Sequence, residues 1–187
     1  MEWVIVGVVA VLVVTVSVVL WASYHGLAKA QAHADEAWSD IVAQLARGTE
    51  PIAALVSAVS AVAPHESPAL DAVSRARDAV RRAESPADAA AAEESLQAAL
   101  ADVFRVADGY PQLQRSADYL DAHSALVRAQ DALQSARRRY NGDVRELNAK
   151  ASAFPGRLFA GVLKVSERSF FEVSSVTAIS EPPRVQF

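Results

Sequence analysis

The chain has 187 residues, a net charge of −4 and an apolar fraction of 52% swollen by alanine, with seven Gly and eight Pro mostly at breaks, which describes one Ala-rich all-α domain. Eighteen basic residues interleave with twenty-two acidic ones, and the densest basic spot, Arg137 to Arg139 with Arg145, is followed by Asp143 and Glu146, so a nucleic-acid partner is not expected. The lack of cysteine excludes disulfides, thiolate nucleophiles and Cys-based zinc sites.

Trp3 to Leu20 is almost wholly Val, Ile, Leu and Ala, and Trp21 and Tyr24 follow it. Twenty-two residues of helix span about 33 Å, enough for a bilayer core, and Trp3, Trp21 and Tyr24 stand where interfacial aromatics belong. A cleaved signal peptide is the rival, with Ala28, Lys29 and Ala30 as its cleavage motif; Glu2 in place of a positive leader and the length of the run favour an uncleaved anchor over residues 1–24. Lys29 and the first arginines follow the span and nothing basic precedes it. The positive-inside rule then puts the N-terminus outside and the main domain in the cytoplasm. Arg outnumbers Lys fifteen to three beside abundant Ala, a bacterial GC-rich signature, so the membrane expected is the bacterial inner membrane and the topology single-pass.

Beyond the anchor, residues 25–155 read as an elongated antiparallel bundle of long helices. Ala30, Ala34, Ala37, Trp38, Ile41, Val42 and Leu45 recur at helical spacing to Gly48, and Thr49 or Glu50 caps the next helix with Pro51 in its first turn. Ile52, Leu55, Val56, Val59 and Val62 form one face, Pro64 and Pro68 bracket a break, and Leu70, Val73, Arg77 and Val80 restart a helix. Ser85 and Pro86 open another, running to Gly109, in which Asp88 to Glu94 is good helix but poor core. Within it, Glu93 and Glu94 read as solvated charges.

Tyr110 to Phe154 predicts a long rod. Tyr119, Leu126, Leu133, Tyr140, Leu147 and Phe154 recur every seven residues, with Ala122, Ala129, Ala136, Val144 and Ala151 as a second, small-residue line. This seam demands helical partners. Beside it, Arg137, Asn141 and Asn148 are candidates for fixing register at some cost in stability. Residues 156–173 form a short amphipathic segment in which Leu158, Phe159, Val162, Leu163, Phe170 and Phe171 are flanked by Arg157, Lys164 and Arg168. It either folds back on the bundle or lies on a membrane surface. Residues 174–187 read as a flexible tail.

His25, His33, His65 and His123 fall in separate segments without ligand spacing, and no phosphate loop, nucleophile elbow or metal motif occurs. The expectation is a protein that is not an enzyme, with no catalytic residues, cofactor, metal or small-molecule substrate. Its expected partners are membrane lipid and either another protein or further copies of itself.

The chain also resembles the LemA family of bacterial helical membrane proteins. Tyr110, Pro111, Leu113, Ala136, Arg137, Tyr140, Asn141, Val144, Asn148, Phe154, Pro155, Ala160, Phe170, Phe171 and Glu172 match that pattern in spacing, as do Trp38, Leu45, Arg47, Ile52, Leu55, Val56, His65, Glu66, Val73, Ala76 and Arg77 upstream. Three departures stand out: Gly48 where the family usually has a second arginine, Ala54 where it has asparagine, and Gln130 where it has glutamate. Their joint loss suggests side chains that satisfy one another across the bundle. The resemblance implies a membrane-anchored helical scaffold or interaction protein with no established catalytic residue. The alternative is a membrane-shaping or lipid-sensing oligomer that uses the anchor and residues 158–171.

Overall fold

A computed structural model describes residues 1–172; the expected tail 174–187, with Val173, lies outside the described residues. The chain is all-α, as the periodicity predicts. Helix α1 (Glu2–Gly48) carries the apolar run and continues without a break into the bundle, about 70 Å for 47 residues. Among the described residues this is the one helix long and apolar enough to cross a membrane, and none of its apolar window is buried against the rest of the chain. Burial begins at Leu27 and then follows the helical period through Ala30, Ala34, Ala37, Ile41 and Leu45.

Thr49 separates α1 from α2 (Glu50–Val62) but keeps helical backbone angles, φ −84° and ψ −14°, so the two run on as one slightly interrupted bar. Its hydroxyl donates to the Ala46 carbonyl at 2.7 Å, and Pro51 enters the first turn of α2, where a missing N–H costs little. A 3-10 turn at Pro64–Glu66 realises the break expected between the two prolines and leads into α3 (Ser67–Arg82). Helix α4 (Pro86–Asp108) starts where Ser85 and Pro86 place it: the Ser85 hydroxyl accepts the Asp88 N–H at 3.1 Å. Helices α3 and α4 pack on each other as a hairpin.

Helix α5 (Ala117–Ser152) is the predicted rod, shorter than the stretch from Tyr110 to Phe154. Tyr110 to Ser116 instead forms a turn and a 3-10 segment around buried Leu113, while the helix passes through Gly142 undisturbed. It runs antiparallel to α1 and α2. The pairings Ala129 with Gly48, Tyr140 with Trp38 at 5.7 Å between rings, Arg139 with Glu36 at 3.2 Å, and Lys150 with the Gly26 carbonyl at 3.5 Å fix that register. Alanines at 30, 34 and 37 on α1 and at 122 and 136 on α5 are buried, and such small side chains let helix axes approach closely. Helix α6 (Gly156–Ala160) then turns back onto α1 and α5.

Candidate functional site

The seam positions Tyr119, Leu126, Leu133, Tyr140 and Leu147 are all buried, and the helices that cover α5 are α1 and α2 of the same chain. The partner required by the heptad register is internal. Phe154 departs from the seam and is 81% exposed, because α5 ends at Ser152 and the helical repeat no longer governs where residue 154 lies. Of the residues expected to anchor the chain, Trp3 and Trp21 are 89% and 66% exposed, and Tyr24, at 37%, also meets the ring of Phe159.

Asn141 and Asn148 do something other than set the register of a seam. The Asn148 side chain donates to the Arg168 carbonyl and accepts the Arg168 N–H, both at 3.0 Å; Asn141 does the same for Phe171, at 3.0 and 2.9 Å. Each amide thus treats one backbone residue as a neighbouring strand would. The spacing explains why two suffice: seven helical residues rise about 10.5 Å, and three extended residues from Arg168 to Phe171 cover about 10 Å. Between them the Tyr140 hydroxyl donates to the Ser169 carbonyl at 2.9 Å. Burial raises the Tyr140 pKa, helped by Asp35 and opposed by Arg168, which keeps the phenol a donor. Phe171 is 1% exposed and Arg168 pairs with Asp35 on α1. The third candidate, Arg137, stands outside this clamp. It donates to Gln134 at 2.7 Å and, with Arg138, Asn141, Arg145 and Glu172, borders an open concavity of about 540 Å³.

The amphipathic residues divide between the two expected fates. Phe171 is buried, Phe159, Leu163 and Phe170 are half-buried against the core, and Leu158 and Val162 are exposed. Gly156 makes the close docking of α6 possible, since a Cβ there would collide with the Lys150 carbonyl oxygen.

A second polar cluster overturns the reading of residues 88–94 as poor core and of Glu93 as a solvated charge. Ala89, Ala90, Glu93, Leu96, Gln97 and Leu100 lie on the buried face of α4, and Glu93 is only 4% exposed. Methyl-sized neighbours let α4 pack closely, and whatever shares their face goes in with them. Gln97 and Gln130 both donate to Glu93 Oε1, at 2.6 and 3.0 Å. The cluster borders a small enclosed cavity of about 10 Å³, one water in size, lined also by Gln44 and Gly48. Three elements therefore bring Gly48, Glu93 and Gln130 to one place, and Gly48 and Gln130 are two of the three positions read from the sequence as departures from the family pattern it resembles.

Burial pushes the Glu93 carboxyl above its ordinary value; hydrogen bonds from Gln130 and Gln97 and the charge of Arg137 pull it back only in part. With the folded pKa above the unfolded one, the folded state binds more protons in the window between them. This contribution to stability is complete below the unfolded value and is lost as pH rises through the window. Glu93→Gln is expected to remove that fall and to stabilise the chain at neutral pH by about 1 kcal/mol, because it removes a buried charge. Thermal melts of both proteins across the acidic range check it; identical pH profiles would contradict it.

Compared with known proteins, residues 37–187 match the model of the LemA family. The chain belongs to the LemA family. The LemA match starts at Ala37, past the apolar part of α1, and takes in the asparagine clamp and the Glu93 cluster alike. No curated protein matches the chain.

Proposed function

We propose that this LemA protein is a non-enzymatic, membrane-anchored helical scaffold, single-pass in the bacterial inner membrane with its bundle in the cytoplasm, that binds a protein partner or further copies of itself. The observation that carries this reading is the continuity of α1. The apolar segment and the first bar of the bundle are one helix, with no linker between them. A flexible tether would leave the domain free to tumble, whereas a helix clasped by α5 along its aqueous half holds the bundle at a fixed height and orientation. Such an arrangement suits a protein that presents faces at a membrane surface. Because the Tyr119 to Leu147 seam is covered internally, the presented faces are the outward ones, with exposed Arg138, Arg139 and Arg145 along α5.

Photo-crosslinkers placed at Arg138 and Arg145 of the full chain in its native membranes test this. Scaffolding predicts trapped oligomers or a reproducible heterologous adduct. Monomer alone at both positions would argue strongly against it.

A further inference from the structure

Phe154, Leu158 and Val162 are 81%, 60% and 73% exposed; outside residues 1–24, Val42 at 46% is the one other large apolar side chain so exposed among the described residues. They recur every fourth residue. A helix-like hydrogen bond from the Leu163 N–H to the Phe159 carbonyl at 2.9 Å carries the turn on past the end of α6. Leu158 and Val162 therefore share one side of it, and Phe154 stands exposed in the turn that precedes α6. On its other side, Phe159, Ala160 and Leu163 pack inward and Gly156 is buried.

The place where this element docks gives the patch its meaning. Phe159 meets Tyr24 edge to face at 5.7 Å, the Cβ position of Gly156 lies 3.7 Å from the Ser23 hydroxyl, and Lys150 reaches the Gly26 carbonyl. All three contacts fall on the first turns of α1 beyond the apolar run, level with the aromatic residues Trp21 and Tyr24. The element that carries the outward apolar patch thus docks where the exposed apolar surface of α1 ends, and exposed Arg157 and Lys164 flank the patch.

We propose that residues 154–164 form a collar lying in the bilayer interface on the bundle side, with Phe154, Leu158 and Val162 at the boundary between headgroups and acyl chains and Arg157 and Lys164 against lipid phosphates. The proposal rests on residues 3–24 spanning the membrane. Fixed to α1 at a second point, the bundle has its tilt as well as its height set by the bilayer. An unpartnered cluster of this kind on a domain held away from lipid would instead be an aggregation liability.

The absence of native cysteine allows a direct test in the full-length chain. Phe154→Cys, Leu158→Cys, Val13→Cys within the span and Ser135→Cys on the exposed face of α5 are each labelled with an environment-sensitive fluorophore, in nanodiscs of mixed phosphatidylcholine and phosphatidylglycerol. The collar predicts blue-shifted emission at 154 and 158, cut roughly in half by lipids carrying a shallow nitroxide and less by a deep one, with Ser135→Cys unaffected. Water-like emission at 154 and 158 while Val13→Cys is quenched would overturn the collar and leave the span intact. A shift without lipid quenching that appears only with several copies per disc would overturn it in favour of contact between copies. Loss of quenching at Val13→Cys as well would overturn the span and, with it, the collar.

Discussion

Gln130→Glu is expected to destabilise the folded chain by about 2–4 kcal/mol at neutral pH, and adding Gly48→Arg to recover most of that loss. The single substitution replaces an amide that donates to Glu93 Oε1 at 3.0 Å with a second carboxylate, in a site where Glu93 is already 4% exposed. Two carboxylates in contact cannot both ionise cheaply, so the penalty shrinks as pH falls and one of them takes up a proton. Gly48 faces the same small cavity. A Cβ there would meet only Ala129, at an ordinary 3.8 Å, so the backbone accepts a side chain at 48, and an arginine there stands beside the cavity that residues 93 and 130 line, where its charge would offset the two acids. Alone, Gly48→Arg gains about 1 kcal/mol of helix propensity and offers Glu93 a cation. Denaturant unfolding of the four proteins of the cycle measures the coupling, and purely additive effects would show that the two positions do not answer one another.

Removing the clamp comes next in size. Asn141→Ala and Asn148→Ala each delete a donor and an acceptor that a backbone residue depends on, a loss of about 1–3 kcal/mol apiece, confined to the C-terminal segment. The amides to watch are those of Arg168 and Phe171, whose partners are the Asn148 and Asn141 side-chain oxygens. Their hydrogen exchange is expected to accelerate by roughly tenfold in each single variant and by more in the double, while exchange in the middle of α5 stays unchanged. Unaltered protection at both amides would mean that packing of Phe171, and not the clamp, holds the segment.

The helix boundaries were legible because they depend on local chemistry. Pro51 in the first turn of α2 and Ser85 with Pro86 act within a turn of where they stand; Thr49 is the exception, since it makes no side-chain cap to α2 and donates back to the Ala46 carbonyl instead. The seam from Tyr119 to Leu147 was legible for a similar reason, since helical periodicity is a property of one element. Extending it to Phe154 assumed a helix that stops at Ser152. Glu93 was misread because nothing in an Ala-rich stretch says which face will be covered; that is decided by α5 delivering Gln130 from 37 residues away. The pair Asn141 and Asn148 was visible as a spacing of seven, yet its meaning lay in a backbone segment with no periodicity of its own. Gly48 and Gln130 stood out as departures from a pattern, and only the small cavity that α1, α4 and α5 line together shows that they share a site.

The rigidity of α1 across the membrane boundary is the claim on which the anchoring account stands. Hydrogen exchange of the full-length protein in nanodiscs, read over residues 21–30, tests it directly. One continuous helix predicts slow exchange through Gly26 that merges with that of the bundle at Ala30 and Ala34. Rapid exchange confined to residues 22–28, with protection on either side, would reveal a hinge, and the bundle would then hang from the membrane instead of being fixed to it.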